Sequence, residues 1–398
     1  PAKTVVRAKV MSALLRRIPF IPSGRDLRLV AASAFFLYFG FGIYSATFFN
    51  FANDVIKIRP EQLGVLESLR ETPGFAMVFV LALAMHVAEP LLGSAALILM
   101  ALGFVGYSRT DTYAPLVFYS VLWSVGLHMW MPLQSAMTLA LAEEDKKGSR
   151  LGQVGACAGL GTALGISSVV LIGEKLSYSN WYAAAAALMF VGAVVCWFVK
   201  RDLSPPDKPR LVFRRRYSLY YALTFLEGCR KQVFITFAVY VLVHKFNTPM
   251  HSVALLMLIN NIVNLSFAPY VGRLIDRVGE RRVLAASYSC LIFVFIGYGL
   301  IKNAGVLYML YCLDNLLYLS TYGLTTYLSR TADDQDIVPS LSMGVTMNHL
   351  AAVAVPVTGG LIWSSVGYSY TFLAGACVVA ASLFFALRIK DAKPLYGN

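Results

Sequence analysis

The sequence predicts an all-α membrane protein with twelve transmembrane helices arranged as two six-helix bundles. Three observations lead there. Apolar residues make up 58% of the 398 positions and charged residues only 14%, whereas an average soluble domain is about a quarter charged. The apolar residues come in runs of about 20, the length needed to cross a hydrocarbon core. One polar, proline-bearing stretch, with Ser204-Pro205-Pro206 and Arg214-Arg215-Arg216, divides those runs six and six. A soluble enzyme with a large core, a disordered chain and a collagen-like chain are excluded by the same composition.

Taken in order, the spans are expected near 28–50, 62–88, 89–108, 113–142, 149–173, 179–200, 217–244, 250–272, 282–301, 304–329, 339–364 and 368–389. Residues 1–27 form a basic cytoplasmic segment, either a short amphipathic helix on the inner leaflet or a basic tail. They lack the pattern of a cleavable signal peptide. Residues 28–200 make the N-terminal bundle, 201–216 the cytoplasmic linker, 217–390 the C-terminal bundle and 391–398 a cytoplasmic tail. Span 5 carries Gly152, Gly155, Gly159, Gly161 and Gly165. Small residues let helix backbones approach closely, and this face is expected to shape a contact between the halves. Pro356 with Gly359-Gly360 is expected to bend span 11.

Orientation follows from Lys and Arg. With the N-terminus inside, 25 of them lie on the cytoplasmic side and six on the other, the latter being Lys57, Arg59, Arg109, Lys175, Lys245 and Lys302. That bias explains the net charge of +13 as a topology signal and an attraction to an anionic inner leaflet. Nucleic acid is therefore not the expected partner. Both termini fall in the cytoplasm, and a plasma or inner membrane is the expected setting. The six cysteines, Cys157, Cys196, Cys229, Cys290, Cys312 and Cys377, are scattered through apolar runs and form no disulfide framework. The histidines are scattered too, with no HxxxH pair, so no metal and no other cofactor is expected. Nothing signals an obligate oligomer, and a monomer is expected.

Three basic residues remain, Arg70, Arg230 and Lys231, together with four acids inside spans, Glu67, Glu71, Glu227 and Asp314. A charge in hydrocarbon costs at least ~2.5–3.5 kcal/mol, so these seven must face partners or a wet cavity. At ~1.5 Å per helical residue, Glu227 lies ~15 Å deep, Arg230 and Lys231 ~20 Å, Asp314 ~15 Å, and Arg70 and Glu71 ~12–14 Å. Three helices thus bring charge to one level, where secondary transporters commonly bind cargo. Glu67, Arg70 and Glu71 share one face of span 2, and Glu227, Arg230 and Lys231 repeat the spacing on span 7, so each set can pair along its own helix. Ion pairs that only lock helices are the alternative. Four acids against three bases leave a carboxylate over, with Asp314 the first choice because span 10 has no basic neighbour in sequence, then Glu227 and Glu71. Such a carboxylate suits a proton carrier.

Polar and aromatic neighbours extend the candidate site: Tyr38 and Tyr44 on span 1, His128, Trp130 and Gln134 on span 4, Asn260, Asn261 and Asn264 on span 8, Asn315, Tyr318 and Tyr322 beside Asp314, and Asn348 with His349 on span 11. Each residue taken singly also suits an ordinary interhelical hydrogen bond. Asp314, Tyr318 and Tyr322 at i, i+4, i+8 form a stripe.

The segment after span 8 reads Gly272-Arg273-Leu274-Ile275-Asp276-Arg277-Val278-Gly279-Glu280-Arg281-Arg282-Val283-Leu284. It resembles the GxLaDrxGrkxxL loop signature of the major facilitator superfamily at Gly272, Leu274, Asp276, Arg277, Gly279, Arg281 and Leu284. Glu280 departs from the usual basic residue. The copy expected between spans 2 and 3 is absent from His86-Val87-Ala88-Glu89-Pro90-Leu91-Leu92-Gly93. Pro356-Val357-Thr358-Gly359-Gly360 faintly resembles a Pro-Gly-Gly motif of superfamily antiporters, which belongs to span 5 there. The resemblance implies two bundles that rock about a central cavity lined by spans 1, 4, 7 and 10. It also implies that Asp276, Arg277 and Arg281 pair with neighbouring helix ends and steady the outward-facing state.

The expected function is a proton- or ion-coupled carrier of a small polar or charged organic solute, anion or zwitterion. Arg70, Arg230 and Lys231 would attract carboxylate or phosphate, and Glu71, Glu227 and Asp314 would hold amines or the coupling proton. A proton-driven exporter of amphiphilic drugs or metabolites is the alternative, and a non-transporting sensor or lipid-handling protein a further one. An enzyme is not expected: no GxxxxGK[ST] loop and no nucleophile–base pair is visible.

Overall fold

The computed structural model describes residues 22–83, 87–202 and 213–390. Most of the basic N-terminal segment, the middle of the linker and the C-terminal tail lie outside the described residues. Every regular element among those described is helical. The α-helices are α1 (Arg25–Asp54), α2 (Pro60–Leu83), α3 (Glu89–Tyr107), α4 (Tyr113–Leu141), α5 (Lys147–Ile172), α6 (Tyr178–Trp197), α7 (Ser218–Phe246), α8 (Met250–Val278), α9 (Glu280–Leu300), α10 (Ala304–Tyr318), α11 (Tyr322–Thr331), α12 (Asp334–Val366) and α13 (Tyr368–Ala386). Nine of them are long and apolar enough to cross a membrane by length and composition. The expected spans that fall short are α2, α7 and the α10–α11 pair, the three elements that carry the intramembrane charges.

Span 10 was expected as one helix. It is two, joined by a 3₁₀ turn at Leu319–Thr321. The Ser287 hydroxyl of α9 donates to the Leu317 carbonyl, and Ser320 donates to Ser287 in turn. A side chain that takes a backbone carbonyl interrupts the helical ladder and tightens it locally. Asp314 is buried at 6% exposure while Tyr322 is exposed at 47%, so the expected stripe stops at Tyr318.

The chain forms two compact units. The first comprises residues 1–48 and 76–207. In it α3 packs between α4 and α6, its Ser94 hydroxyl donating to the Ala193 carbonyl. A ring cluster of Tyr44, Phe104, Tyr107, Trp123 and Tyr182 fills the core. The glycines of α5 act differently from the expectation. Gly161 and Gly165 lie against the backbone of Phe35 and Phe39 in α1, inside this unit, and a Cβ at either would clash with a carbonyl oxygen. Gly152, Gly155 and Gly159 have nothing within 4 Å.

The second unit comprises residues 49–75 and 208–398. Its centre is α7, buried against α12 and α13, with α9 packed on α13. The end of α1 and the first four turns of α2 belong to it. Asn50 donates to the Thr248 carbonyl at 2.9 Å, Tyr240 to the Ile58 carbonyl at 2.6 Å, and Ser68 to the Val353 carbonyl at 2.6 Å. Gly64 lies directly on the Pro356 carbonyl and Gly360 on that of Pro60. The Pro356 region thus serves as a close contact for α2, and α12 continues helically through it.

Candidate functional site

The deepest charge cluster lies in the second unit. α7 carries Glu227, Arg230 and Lys231 in its middle turns, and a charge so far inside an apolar span needs a partner. Gly228 makes room for α12: a Cβ there would press on Asn348 Oδ1 and Ala351 Cβ. Asn348, whose amide donates to the Gly344 carbonyl, thereby packs one residue from Glu227.

Arg230 is the hub. It is 1% exposed. Its Nε donates to Glu227 Oε1 at 3.1 Å, Nη2 to the same oxygen at 2.5 Å, and Nη1 to Asp314 Oδ1 at 2.9 Å. Asp314 therefore has a basic partner, which its sequence neighbourhood concealed, and it comes from another helix. The phenol of Tyr288 on α9, fully buried, lies in electrostatic contact with Glu227 and Arg230. Two carboxylates about one guanidinium carry a formal charge of −1. Tyr318 stacks its ring 5.4 Å from Arg230 Cζ and 5.9 Å from Lys231 Nζ, a geometry that favours cations.

Asn315 and Asn264 exchange amide hydrogen bonds at 2.9 and 3.3 Å, and Asn315 also donates to the Asn260 carbonyl. These amides tie α8 to α10 next to Asp314. On α2, Arg70 pairs with Glu67, and Glu71 lies 3.4 Å from His349 Nδ1 of α12. Glu67 is buried at 4%.

Several predicted residues of the first unit make contacts within their own helix. Trp130 is fully buried and donates to Gln134 Oε1 at 2.8 Å. His128 Nδ1 bonds the hydroxyl and carbonyl of Ser124 one turn back. Tyr38 is half-buried with its ring edge on Phe41.

In the predicted gating loop Gly279 has φ +91°, a conformation that favours glycine, and its N–H closes α8 on the Ile275 carbonyl at 2.9 Å. Gly272 lies in open space, and Asp276 and Arg277 are exposed. Arg281 at the start of α9 is half-buried. Glu280, the departure from the motif, is 2% exposed and pairs with Arg330 at the end of α11. Sequence reasoning missed Arg330 as well as Tyr288; the anomalous Glu280 was the one signal for the former.

Further ion pairs hold the polar ends. Arg216 bridges Asp333 and Asp336, and Tyr217 donates to Asp336 at 3.1 Å. The hydrogen bond from Arg216, with that from Tyr217, keeps the Asp336 carboxyl below its ordinary value. In the first unit Arg150 donates to both oxygens of Glu143 and to Gln153 and Ser23. That bond lowers the Glu143 carboxyl to about 2.

A sequence profile described as Major Facilitator Superfamily matches residues 30–337 and 220–397. No curated protein matches the sequence. Among solved structures, the nucleoside transporter NupG superposes with a TM-score of 0.74 at 12% identity, over 92% of this chain and 99% of its own. A bacterial homologue of the human lysosomal transporter Spinster, in an inward-facing and occupied conformation, gives 0.72 at 10%, over 92% and 98%. A mutant of the peptide transporter POT gives 0.72 at 14%, over 94% and 97%. At these identities the likeness shows the fold.

Proposed function

Since the chain belongs to the major facilitator superfamily, we propose that it carries a small polar or charged organic solute, anion or zwitterion, in exchange or together with protons. Twelve spans in two six-helix bundles, with both termini cytoplasmic, complete this reading, and one copy of the chain suffices. The observation that carries it is the buried Glu227–Arg230–Asp314 triad, which sets two carboxylates on one guanidinium. Within the triad itself the carboxylates outnumber the cation by one, so one of them can take up and release a proton while the other stays paired with Arg230.

In this reading the proton is also coupled to movement. Arg230 links its own helix to α10 through Asp314. A proton on Asp314 removes the charge assistance from that bond, about half its strength, and leaves Glu227 as the charged partner of Arg230 within the triad. Loading the site thus loosens α7 from α10, and unloading it tightens them. Alternating access needs such a pair of discrete arrangements, biased by the bound ion.

The test is solute flux in proteoliposomes under an imposed pH gradient, using a panel of amino acids, small peptides, organic acids, nucleosides and sugar phosphates. Uptake that follows the gradient and is abolished in Glu227→Gln and Asp314→Asn supports the proposal. Flux that is indifferent to the gradient and to both substitutions refutes proton coupling at this triad.

A further inference from the structure

We propose that Lys231, joined by the phenol of Tyr318, is the receptor for the anionic group of the cargo, and that the cargo carries a carboxylate or a phosphate. The proposal rests on the transporter reading above and narrows it.

The argument starts from charge pairing. Of the intramembrane charges in the second unit, Glu67 has Arg70, Glu71 has His349, and Glu227 and Asp314 share Arg230. Lys231 has no carboxylate within ion-pair distance among the described residues. Its i−4 neighbour Glu227 has the spacing for a pair, yet Glu227 directs Oε1 to Arg230 instead. Nor can Lys231 reach water along the helix. It sits at the middle of the 29-residue α7, about 20 Å from either end at 1.5 Å per residue, far beyond what a four-carbon stem can snorkel.

Access separates the two cations. Arg230 is sealed at 1% exposure with its nitrogens on two carboxylates, so a solute cannot reach it without breaking the triad. Lys231 and Tyr318 are both half-buried. The Tyr318 hydroxyl forms no hydrogen bond among the described residues, and its ring lies 5.9 Å from Lys231 Nζ. Two helices, α7 and α10, therefore present an ammonium and a phenol O–H close together, both donors and neither committed. The ring alone is a weak counter-charge for an ammonium in a low-dielectric setting. A carboxylate or phosphate oxygen supplies what is missing.

The formal charges agree. The triad at −1 and Lys231 at +1 sum to zero when the site is empty. An anion bound at Lys231 brings the total to −1, and one proton on the triad restores neutrality. The cargo anion and the proton are then favourable to each other's binding, which is co-transport in one direction.

The test uses purified full-length protein in lipid nanodiscs and calorimetric binding of benzoate, succinate, inorganic phosphate and glycerol 3-phosphate, with benzamide and glycerol as neutral counterparts. At least one anion should bind saturably and its neutral counterpart should not. Lys231→Gln should weaken that binding by about tenfold or more, since a hydrogen bond to a charged group is worth roughly that factor; Tyr318→Phe should weaken it less, and Lys231→Arg, which keeps the positive charge, should retain most of it. Carboxylates against phosphates identify the group. Lys231→Gln should also unfold at the same or a higher temperature than the parent in the absence of anion, because an uncompensated cation is removed. Unchanged anion affinity in Lys231→Gln, no binding of any of the four anions to the parent, or a loss of stability in Lys231→Gln overturns the inference. Flux of the bound anion in proteoliposomes is measured separately. Binding that depends on Lys231 without any flux leaves this inference standing and refutes the transporter reading; flux of solutes that ignores Lys231 does the reverse.

Discussion

Replacing Arg230 with methionine should be far more damaging than replacing either of its carboxylate partners. The side chains of Glu227 and Asp314 are 6% and 8% exposed, and Arg230 is 1% exposed. Removing the cation strands two carboxylates in a dry site, and breaking a buried pair in this way costs about 3–5 kcal/mol. Asp314→Asn is different: Asn Oδ1 still accepts from Nη1, Arg230 keeps Glu227, and the loss is the charge assistance of one bond, about 1 kcal/mol. Neutralising the whole cluster, Arg230→Met with Glu227→Gln and Asp314→Asn, should recover most of the stability, since it leaves no unpaired charge. The chain contains its own reporter. Cys229, adjacent to Arg230, is 7% exposed, and Cys196 in the first unit is 0% exposed. With the other four cysteines replaced by alanine, maleimide labelling during heating reads each unit by its own buried thiol. Arg230→Met should bring Cys229 labelling to a lower temperature and move Cys196 less. An Arg230→Met protein as stable as Asp314→Asn, or a triple variant no better than Arg230→Met, would refute the reasoning.

Glycine positions should divide by what their missing Cβ would meet. Gly64→Ala forces a methyl onto the Pro356 carbonyl and should cost about 1–3 kcal/mol in thermal unfolding, whereas Gly152→Ala, in open space, should be neutral or stabilise by up to about 1 kcal/mol. The Glu280–Arg330 pair should tolerate exchange better than interruption: Glu280→Arg should lower the unfolding temperature, and adding Arg330→Glu should restore it at least in part. Asp336 is held below its ordinary value by Arg216, so its contribution is present above the unfolded carboxylate range near pH 4 and is lost as pH falls through the folded value. Asp336→Asn should therefore destabilise at pH 7 and converge on the parent at the acid end, as read by thermal unfolding followed by circular dichroism across pH.

Much of this was legible because membrane burial makes composition informative. The helices between 28 and 389 follow from runs of apolar residues, and the placing of Glu227, Arg230 and Asp314 well inside their helices follows from their positions in those runs. What the sequence hid was partner choice. Spacing offered Glu227 both Arg230 and Lys231 at i+3 and i+4; the structure takes the first, because Asp314 approaches from α10 and one guanidinium can serve two carboxylates at once. Asp314 looked partnerless since its cation is 84 residues away. The break at Leu319–Thr321 was invisible for a similar reason. No proline marks it, and its cause is a serine of another helix. The glycines of α5 were misjudged because a small residue permits close approach without naming the helix that approaches.

The charges concentrated in α2 and α7, with Asp314 on α10, argue that they act as a set. α2 and α7 lose apolarity through Glu67, Arg70, Glu71, Glu227, Arg230 and Lys231, whereas α10 and α11 fall short by length, the 3₁₀ turn dividing the span that carries Asp314. Helix locking alone does not explain the inventory. Neutral amides already tie α8 to α10 at Asn264 and Asn315 without any desolvated charge, so the fold has cheaper means of holding these helices together. Under the proposed transport reading, charges kept where amides would serve do what amides cannot, which is to exchange a proton and to meet a counter-ion. Within the cluster that demand falls on two places: the triad, with one negative charge in excess, and Lys231, with one positive charge unmatched. Their imbalances are equal and opposite, and they are bridged by the single ring of Tyr318. If the charges were remnants of locking, Lys231→Met would be silent in both binding and flux, while stability alone responded to changes at Arg230.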